Sequence, residues 1–372
     1  MRSVAEDRAP TGAHAVSPPA LGVSSWSTPV GVKLDLRYAS DEMALLDIDI
    51  ARLWKSVIDN AEASGAALAG HYAVDDAYGG ARAAPTVSRF FDLPLCAEQV
   101  TFGAGVTALL HALSSIAAGG TVIAPELTHP DLEAWARARG SHIVTLTEPY
   151  DHDELMMTTA GASPALVHVD RPDFLGRLTE LREVEELALA ARTVGAIVLI
   201  DESAAQYLGP SASAVQLVNR VDNLVVLRGF TKAYSLGGMR AAFAVASPEL
   251  APIVRSLVPP LQVSELSLVM ALEVLRAGDM FSSLRARVRQ VRPAVVAVLE
   301  RAGIRVIAPR HDVPWLGLRD RAHAAARYLE SRGVFALRPT PTGSAPSPAA
   351  EVLRLTIPLS DQRITCLAEL LA

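Results

Sequence analysis

The sequence predicts an α/β fold with two domains: a large one built around a mostly parallel sheet, and a smaller α+β one. Between residues 100 and 227, short apolar runs typical of buried strands alternate with stretches of helical periodicity, as expected of a parallel sheet with crossover helices. Beyond Ala246, longer helices and isolated strand-like runs follow. The chain has 372 residues, half of them apolar, which is enough for one large core and a smaller second one.

The individual elements are predicted from the spacing of apolar residues. Strands are expected over 100–102, 121–124, 143–146, 165–169, 197–200 and 224–227, and helices over 50–63, 108–117, 131–139 and 178–193. Further helices are expected within 248–276, interrupted by two prolines, and over 281–301 and 320–332, with strands over 303–309, 334–337 and 351–357. The predicted divisions are a flexible tail over 1–29, an arm over 30–49, a large domain over 50–247 and a small domain over 248–372.

Charge and composition argue against several classes of partner. The net charge is −6 and no basic run occurs, which argues against nucleic acid and anionic membranes. No apolar run is long enough to span a membrane, and the stretch 1–29 lacks the apolar segment of a signal peptide. Cys96 and Cys366 are the only cysteines, so we expect buried free thiols in a cytoplasmic protein.

The strand over 224–227 leads into a small-residue loop that holds Lys232, one of only three lysines in the chain. A partly desolvated lysine there has a lowered pKa and can act as an amine nucleophile that forms a Schiff base. The alternative is a solvated loop lysine whose stem covers apolar surface.

The loop resembles the cofactor-lysine segment of the fold-type I pyridoxal-phosphate enzymes of the aminotransferase class I/II group. Lys232 matches the lysine that holds the cofactor, Thr231 the hydroxyl residue before it, and Arg240 the arginine that clamps the cofactor phosphate. Two departures are visible, because Ser235 replaces the first glycine and Gly229 replaces a hydroxyl residue. The resemblance covers residues from about 70 to the end and implies pyridoxal 5'-phosphate as the cofactor.

A glycine turn after the first predicted strand is the candidate phosphate site. It comprises Ala104, Gly105, Val106 and Thr107 and leads into a helix. A strand, a glycine turn and a helix N-terminus together present backbone N–H groups to an anion. In the resembled family this turn holds the cofactor phosphate, and Thr107 adds a hydroxyl.

Asp201 ends a predicted buried strand, where an acid is costly unless it is paired. In the resembled family the matching aspartate pairs with the pyridine nitrogen of the cofactor; the alternative is a helix-capping aspartate. The family has a tyrosine three residues later that bonds the cofactor's phenolate oxygen, but Ala204 stands there.

A second departure concerns the same oxygen. Aligned on Gly176, Asp173 occupies the place of an asparagine that bonds the phenolate. An ionised carboxylate beside a phenolate is unfavourable, so Asp173 is protonated, offset by Arg171, or turned elsewhere.

The resembled family also has a residue that stacks on the cofactor ring. Counting back from Gly140, at the end of the next helix, gives His129, whereas counting forward from Pro125 gives Leu127. We prefer His129 because flat rings pack together.

Two further residues complete the resemblance. Tyr72 matches a tyrosine that reaches the partner subunit's cofactor phosphate, which implies a homodimer with shared sites; a packed loop tyrosine is the alternative. Arg354, in the middle of the last predicted strand, matches the arginine that holds the substrate α-carboxylate. The alternative is an edge-strand arginine that faces water.

The resemblance implies an enzyme whose substrate is a free amino acid, a small molecule. We predict amino transfer to a keto acid, with Lys232 moving the α-proton and Asp201 stabilising the resulting carbanion. An alternative is elimination or cyclisation of a functionalised amino acid such as an arginine derivative, whose guanidinium could meet Asp75, Asp76 and Glu126. A third possibility is a cofactor-fold domain that regulates or scaffolds, which the joint presence of Lys232, Asp201 and an arginine at 354 argues against.

Overall fold

The protein is described by a computed structural model that covers residues 30–38, 41–63, 72–307, 313–339 and 351–372. The expected tail over 1–29 lies outside the described residues. The described strands are β1 (Leu34–Asp35), β2 (Val100–Gly103), β3 (Thr121–Pro125), β4 (His142–Leu146), β5 (Leu166–Asp170), β6 (Ile197–Asp201), β7 (Leu224–Gly229), β8 (Ala242–Ala246), β9 (Val306–Ile307), β10 (Trp315–Arg319), β11 (Val334–Phe335) and β12 (Val352–Thr356). The described α-helices are α1 (Ile50–Ala63), α2 (Gly80–Phe91), α3 (Val106–Leu113), α4 (Pro130–Ala138), α5 (His152–Ala162), α6 (Leu181–Thr193), α7 (Ala251–Leu257), α8 (Glu265–Arg276), α9 (Ser282–Arg301), α10 (Ala324–Ser331) and α11 (Asp361–Leu371).

The central sheet has seven strands in the order β2-β8-β7-β6-β5-β3-β4. The strands from β4 to β7 run parallel to one another, whereas β8 is antiparallel to both of its neighbours. This arrangement confirms the predicted α/β fold with a mostly parallel sheet. The central strands β7 and β8 are buried along their whole length, which explains why they read as continuous apolar runs.

Both faces of this sheet are covered. Along β6, Val198 and Ile200 belong to one hydrophobic core, while Leu199 between them belongs to a second, as the two-residue period of a strand requires. Because both faces are packed, ligands of such a sheet are expected at the carboxyl ends of its strands.

The C-terminal part of the chain forms a second, antiparallel sheet. Its strands lie in the order β12-β10-β9, and β1 of the arm pairs with β11. Helix α7 contacts β2, β8 and α3, and α8 contacts α1 and α2. We therefore propose that the small domain begins after α8 rather than at residue 248.

Several elements differ from the expected bounds. The helix expected over 108–117 begins at Val106 and continues as a 3₁₀ turn from Ser114. The helix expected over 320–332 begins only at Ala324, and the Asp320 carboxylate accepts the N–H of Ala326 in its first turn.

Two expectations about compartment can be compared with the structure. Cys96 is exposed and Cys366 is partly buried, both as free thiols, so the expectation of a buried thiol is wrong for Cys96. Among the described helices, none combines the length and the apolar character that a bilayer crossing requires.

Candidate active site

Three reactive side chains meet at the carboxyl edge of the central sheet. Strand β5 ends at Asp170, β6 ends at Asp201, and Lys232 follows the end of β7. Asp170 and Asp201 are register partners, and Asp201 pairs in turn with Leu227 of β7. The parallel sheet therefore brings side chains from three separate stretches of sequence to one place.

Lys232 has the environment of a reactive amine. Its Nζ donates a hydrogen bond to Ser203 Oγ at 3.0 Å. Solvent reaches the side chain, but the surrounding protein atoms desolvate the ammonium and lower the pKa of Lys232. Asp201 raises that pKa, Arg354 lowers it, and Asp170 raises it. Because the pKa remains lowered, more of the neutral amine that can act as nucleophile or base is present than for a free lysine.

Asp201 offers an unused acceptor at the same edge. The side chain is buried, and its Oδ1 accepts the backbone N–H of Ser203 at 2.7 Å. Its Oδ2 is buried and has no hydrogen-bond partner within the described residues. The residue that precedes the following 3₁₀ turn is Ala204, so Asp201 is not a helix cap. A buried carboxylate oxygen without a partner is costly, and a cationic N–H group of a ligand would satisfy it.

The glycine turn and Arg240 form one cradle. Gly105 has a φ of 90°, and a Cβ at this position would lie 2.5 Å from Arg240 Nη2, so only glycine fits. Arg240 donates to the carbonyl oxygens of Gly237 at 3.1 Å and Ala104 at 3.4 Å. The first N–H groups of α3 have no acceptor within their own helix, and they begin beside this arginine. The arrangement fits an anion.

The other predicted phosphate residues surround this cradle. Val106 and Thr107 form the first turn of α3 and are half-buried, while Thr231 is exposed on the neighbouring loop. Gln262 was not predicted, and its Oε1 accepts the N–H of Ala104 at 3.0 Å. Gln262 lies 158 residues after Ala104 in the chain, so no local sequence pattern indicates this contact.

Arg354 is enclosed by aromatic rings. Its guanidinium carbon lies 5.3 Å from the ring centre of Phe174 and 5.5 Å from that of Trp315. Its Nε is buried without a hydrogen-bond partner, and none of the ion pairs between described residues includes it. Burial lowers the pKa of Arg354, with Tyr207 and Tyr38 acting in the opposite direction. These surroundings differ from those of an arginine facing water: β12 is the outer strand of its sheet, but at Arg354 its backbone is hydrogen-bonded to Leu337.

A buried acid from the arm lies nearby. Glu42 is 4% exposed, and its Oε2 accepts the Tyr207 hydroxyl at 2.9 Å. Burial raises the pKa of Glu42 to about 7, opposed by the Tyr207 hydrogen bond and by the positive charge of Arg354. The sequence did not predict this pair, because its two members are 165 residues apart.

Asp173 is turned away from Lys232. Its carboxylate accepts the N–H groups of Leu175 and Arg177 and pairs with Arg177 Nε at 2.6 Å. Burial raises the pKa of Asp173, against the effect of Arg177. Arg171, expected as one possible counter-ion, instead pairs with Glu202 at 2.7 Å. The residue of this segment that interacts with Lys232 is Asp170, which the sequence did not identify.

The two candidates for ring stacking lie in different surroundings. His129 precedes α4, and its pKa is lowered by burial, raised by Asp131 and Asp201, and lowered by Lys232. Leu127 is buried in a small apolar cluster. His129 is therefore the one of the two that interacts with the site.

Residues expected near the mouth of the site differ in their exposure and pairing. Tyr72 is 72% exposed, which leaves its side chain accessible. Asp76 is bound to Arg82 at 3.0 Å, and Glu126 accepts the N–H of Glu148 at 3.3 Å. Asp76 is therefore not a free acid for a guanidinium substrate.

Comparison with known proteins places this site in a family. A family model for aminotransferases of class I and II matches residues 49–371. An aromatic amino acid aminotransferase from Cutibacterium acnes is 28% identical over 249 residues, covering 64% of this chain and 70% of the relative. A histidinol-phosphate aminotransferase from Thermococcus kodakarensis is 27% identical over 254 residues, covering 67% of this chain and 70% of the relative. A solved histidinol-phosphate aminotransferase from Sinorhizobium meliloti in complex with pyridoxal-5'-phosphate has a TM-score of 0.71 at 17% identity, covering 96% of this chain and 94% of the other.

Because the family model spans most of the chain, the protein belongs to the aminotransferase class I and II family. It is a pyridoxal-phosphate-dependent enzyme with the fold-type I architecture, as the sequence predicts. The relatives matched by sequence carry aminotransferase names, so elimination, cyclisation and a purely regulatory role are not favoured.

Proposed function

We propose that this enzyme transfers the amino group of an α-amino acid with an apolar or aromatic side chain to a keto acid. The observation that carries the proposal is the presence at one site of Lys232, a desolvated amine, and Arg354, a half-buried guanidinium that has no carboxylate partner among the described residues. This substrate class requires two groups: an amine that moves the proton of the α-carbon and a cation that holds the α-carboxylate.

The residues present fit the cofactor. The cradle of Gly105, Arg240 and the start of α3 suits its phosphate, with Thr107, Thr231, Ala104 and Val106 around it. The unpartnered Oδ2 of Asp201 suits a protonated ring nitrogen. When bound, pyridoxal phosphate supplies an electron sink for negative charge at the substrate α-carbon.

Lys232 would hold the cofactor and then move the proton of the substrate. Its lowered pKa leaves Nζ able to take a proton from the α-carbon and return it at the adjacent position. Ser203, which accepts the Nζ hydrogen bond at 3.0 Å, would orient the amine. Asp201 would keep positive charge on the ring nitrogen. His129 would pack against the ring.

Arg354 supports a carboxylate substrate. Its planar fork can donate two parallel hydrogen bonds to the α-carboxylate. Phe174, Trp315 and Tyr207 lie around it or close by, which would suit apolar or aromatic side chains. Asp173, bound to Arg177, provides no charge at the cofactor that would favour other chemistry.

We further propose a cytoplasmic homodimer with shared sites. The exposed Tyr72 would reach the phosphate of the partner subunit. The free thiols of both cysteines are compatible with a reducing compartment. Light scattering at micromolar concentration tests the dimer, and a strictly monomeric active enzyme would contradict it.

The experiment that tests the proposed activity is a panel of amino acids, incubated with and without a keto acid acceptor. We expect turnover that requires the acceptor and yields the new amino acid in equal amount. Ammonia or a cyclic product formed without an acceptor would contradict amino transfer.

A variant pair tests the carboxylate site. Arg354→Lys keeps the charge but loses the fork, so KM should rise by about tenfold or more while the cofactor spectrum is unchanged. Arg319→Lys, an exposed arginine on the adjacent strand β10, is the matched control and should leave KM unchanged. An unchanged KM in Arg354→Lys would place the carboxylate elsewhere.

A further inference from the structure

Two carboxyl groups lie side by side at the ends of β5 and β6. Asp170 and Asp201 are register partners, so their side chains project from the same face of the sheet. One oxygen of each is held by a backbone N–H: Asp170 Oδ2 accepts from His129 at 2.9 Å, and Asp201 Oδ1 accepts from Ser203 at 2.7 Å. The second oxygen of each, Asp170 Oδ1 and Asp201 Oδ2, is buried and has no hydrogen-bond partner among the described residues.

His168 closes the third side of this arrangement. It precedes Asp170 by two residues on the same face of β5, and its Nε2 lies 3.6 Å from Asp170 Oδ1. One atom each from His168, Asp170 and Asp201 lie within 4.8 Å of one another. The imidazole is fully buried, and burial lowers the pKa of His168 to about 4 against the effect of Asp201. It is therefore neutral near pH 7 and does not compensate two negative charges.

The charged groups around Asp170 come from several elements. Burial raises the pKa of Asp170 well above its usual range; Asp201 raises it, Lys232 and the N–H of His129 lower it, and Asp173 raises it. Asp173 is itself paired with Arg177. Lys232 and Arg354 are the cations that interact with Asp170; the lowered pKa of Lys232 weakens it as a counter-ion, while Arg354 lies on β12, outside the central sheet.

We propose that Asp170 and Asp201 form a carboxyl dyad that holds one proton, carried by Asp170, whose O–H donates to one lone pair of Asp201 Oδ2 and leaves the other for the ring nitrogen of the cofactor. A carboxylate oxygen of Asp170 lies within 4.8 Å of one of Asp201, so the contact requires a rotation about χ2, a soft torsion. The dyad then has a single negative charge, located on Asp201. Two ionised carboxylates at this distance would repel each other, and sharing a proton removes that repulsion.

In this arrangement Asp170 is a positioning residue that acts through Asp201. It fixes the orientation of the Asp201 carboxylate by donating a hydrogen bond to it. The functional part of this inference rests on the proposed role of Asp201 toward the ring nitrogen. The shared proton itself does not, because it follows from the two carboxyl groups alone.

Two substitutions separate a protonated Asp170 from an ionised one. Asp170→Asn retains the size and a neutral donor, so the holoenzyme should keep kcat/KM within about fivefold at pH 7, the worth of about one hydrogen bond. Asp170→Leu removes the donor and should lose about tenfold or more. In the wild type, ionisation of Asp170 at alkaline pH should lower kcat. Neither variant has this carboxyl group, so neither should show that part of the decline. A loss in Asp170→Asn equal to that in Asp170→Leu would overturn the proposal.

Stability against pH gives a readout that does not depend on turnover. The raised pKa of Asp170 means that this residue contributes one extra bound proton to the folded wild type above pH about 4, so it adds about a tenfold rise per pH unit to the unfolding constant in that window, besides the contribution of Glu42. Asp170→Asn should lack this one-proton slope, measured by urea denaturation of the full chain with and without cofactor. The surface substitution Asp59→Asn should keep it. The same slope in wild type and Asp170→Asn would contradict a shared proton.

A measurement on the wild type alone covers the case in which the variants do not fold. With ¹³C-labelled aspartate, infrared spectra at pH 7 should contain the C=O band of a protonated carboxyl that disappears at alkaline pH. Absence of the band at pH 7 would overturn the dyad. A rise in melting temperature with Mn²⁺ that is lost in His168→Gln would indicate a bound cation instead, and would also overturn it. If Asp201→Asn retains full turnover while the band is present, the role assigned to Asp201 fails but the dyad stands.

Discussion

Glu202 follows Asp201 directly and is fully buried, so Glu202→Gln tests what holds this end of the sheet together. Its Oε1 accepts Arg171 Nη1 and the N–H of Ala214, both at 2.7 Å. Its Oε2 accepts Arg228 Nη1 at 3.1 Å and the hydroxyl of Ser213. One carboxylate therefore satisfies two guanidinium groups that are themselves 1% and 3% exposed.

The amide variant keeps the shape but removes the charge. It leaves two buried cations without an anion, and its NH₂ group would face another donor. Breaking a buried pair by removing one partner costs about 3–5 kcal/mol. Arg171 still donates to the carbonyl oxygens of Thr179 and Ala212, which favours the lower end, about 3 kcal/mol. The total stability of such a domain is about 5–15 kcal/mol, so the loss should be large.

Urea denaturation at saturating cofactor measures this loss from the shift of the midpoint at constant slope. Asp59→Asn is the control, because Asp59 forms an exposed pair with Lys55 and its removal should leave the midpoint nearly unchanged. The double variant Glu202→Gln/Arg228→Met should lose less unfolding free energy than the sum of the two single losses, since it no longer contains one of the two unpaired buried charges. A loss below about 1 kcal/mol in Glu202→Gln would refute the argument that the carboxylate neutralises both arginines.

Three further outcomes follow from the site. Asp201→Asn should lower kcat by roughly two orders of magnitude, about 3 kcal/mol, with cofactor still bound; near-normal turnover would count against its role. Borohydride reduction and peptide mapping should find the cofactor on Lys232, and a label on Lys33 or Lys55 would reject the assignment. Because burial raises the pKa of Glu42 to about 7, its contribution to stability is complete below about pH 4.5 and is lost as the pH rises toward 7. Glu42→Gln should remove this decline in urea denaturation, and an unchanged decline would show that another group causes it.

Much of the fold could be predicted because its elements have regular apolar spacing. The helix expected over 50–63 has those bounds in the structure, and six of the seven strands of the central sheet lie within a few residues of their expected positions, whereas β8 was not predicted. Strand β10 was missed because its five residues, Trp315–Arg319, give only one short run with a glycine in the middle. Its pairing with β12 is a contact between distant parts of the chain, which local periodicity does not encode.

The candidate site was predictable where a residue type is rare or ends a strand. Lys232 meets the first condition and Asp201 the second, and the structure brings them together. Asp170 was missed because alignment on Gly176 places Asp173, and not Asp170, at the position of the family's asparagine. Local pattern does not decide which of two aspartates three residues apart faces the site. That is decided by the extension of β5 to residue 170 and by the arginine that holds Asp173 in its turn.

The charges of the site also couple substrate binding to the basicity of Lys232. Arg354 is one of the groups that lower the pKa of Lys232. A substrate carboxylate bound to Arg354 would offset that positive charge and so remove part of the lowering. The amine would then hold a proton more firmly when substrate is present than when the site is empty. Linkage requires the reverse effect as well: protonation of Lys232 should strengthen the binding of a free carboxylate at Arg354 by the same factor. The base that is to take the α-proton therefore becomes stronger only after the substrate carboxylate is in place.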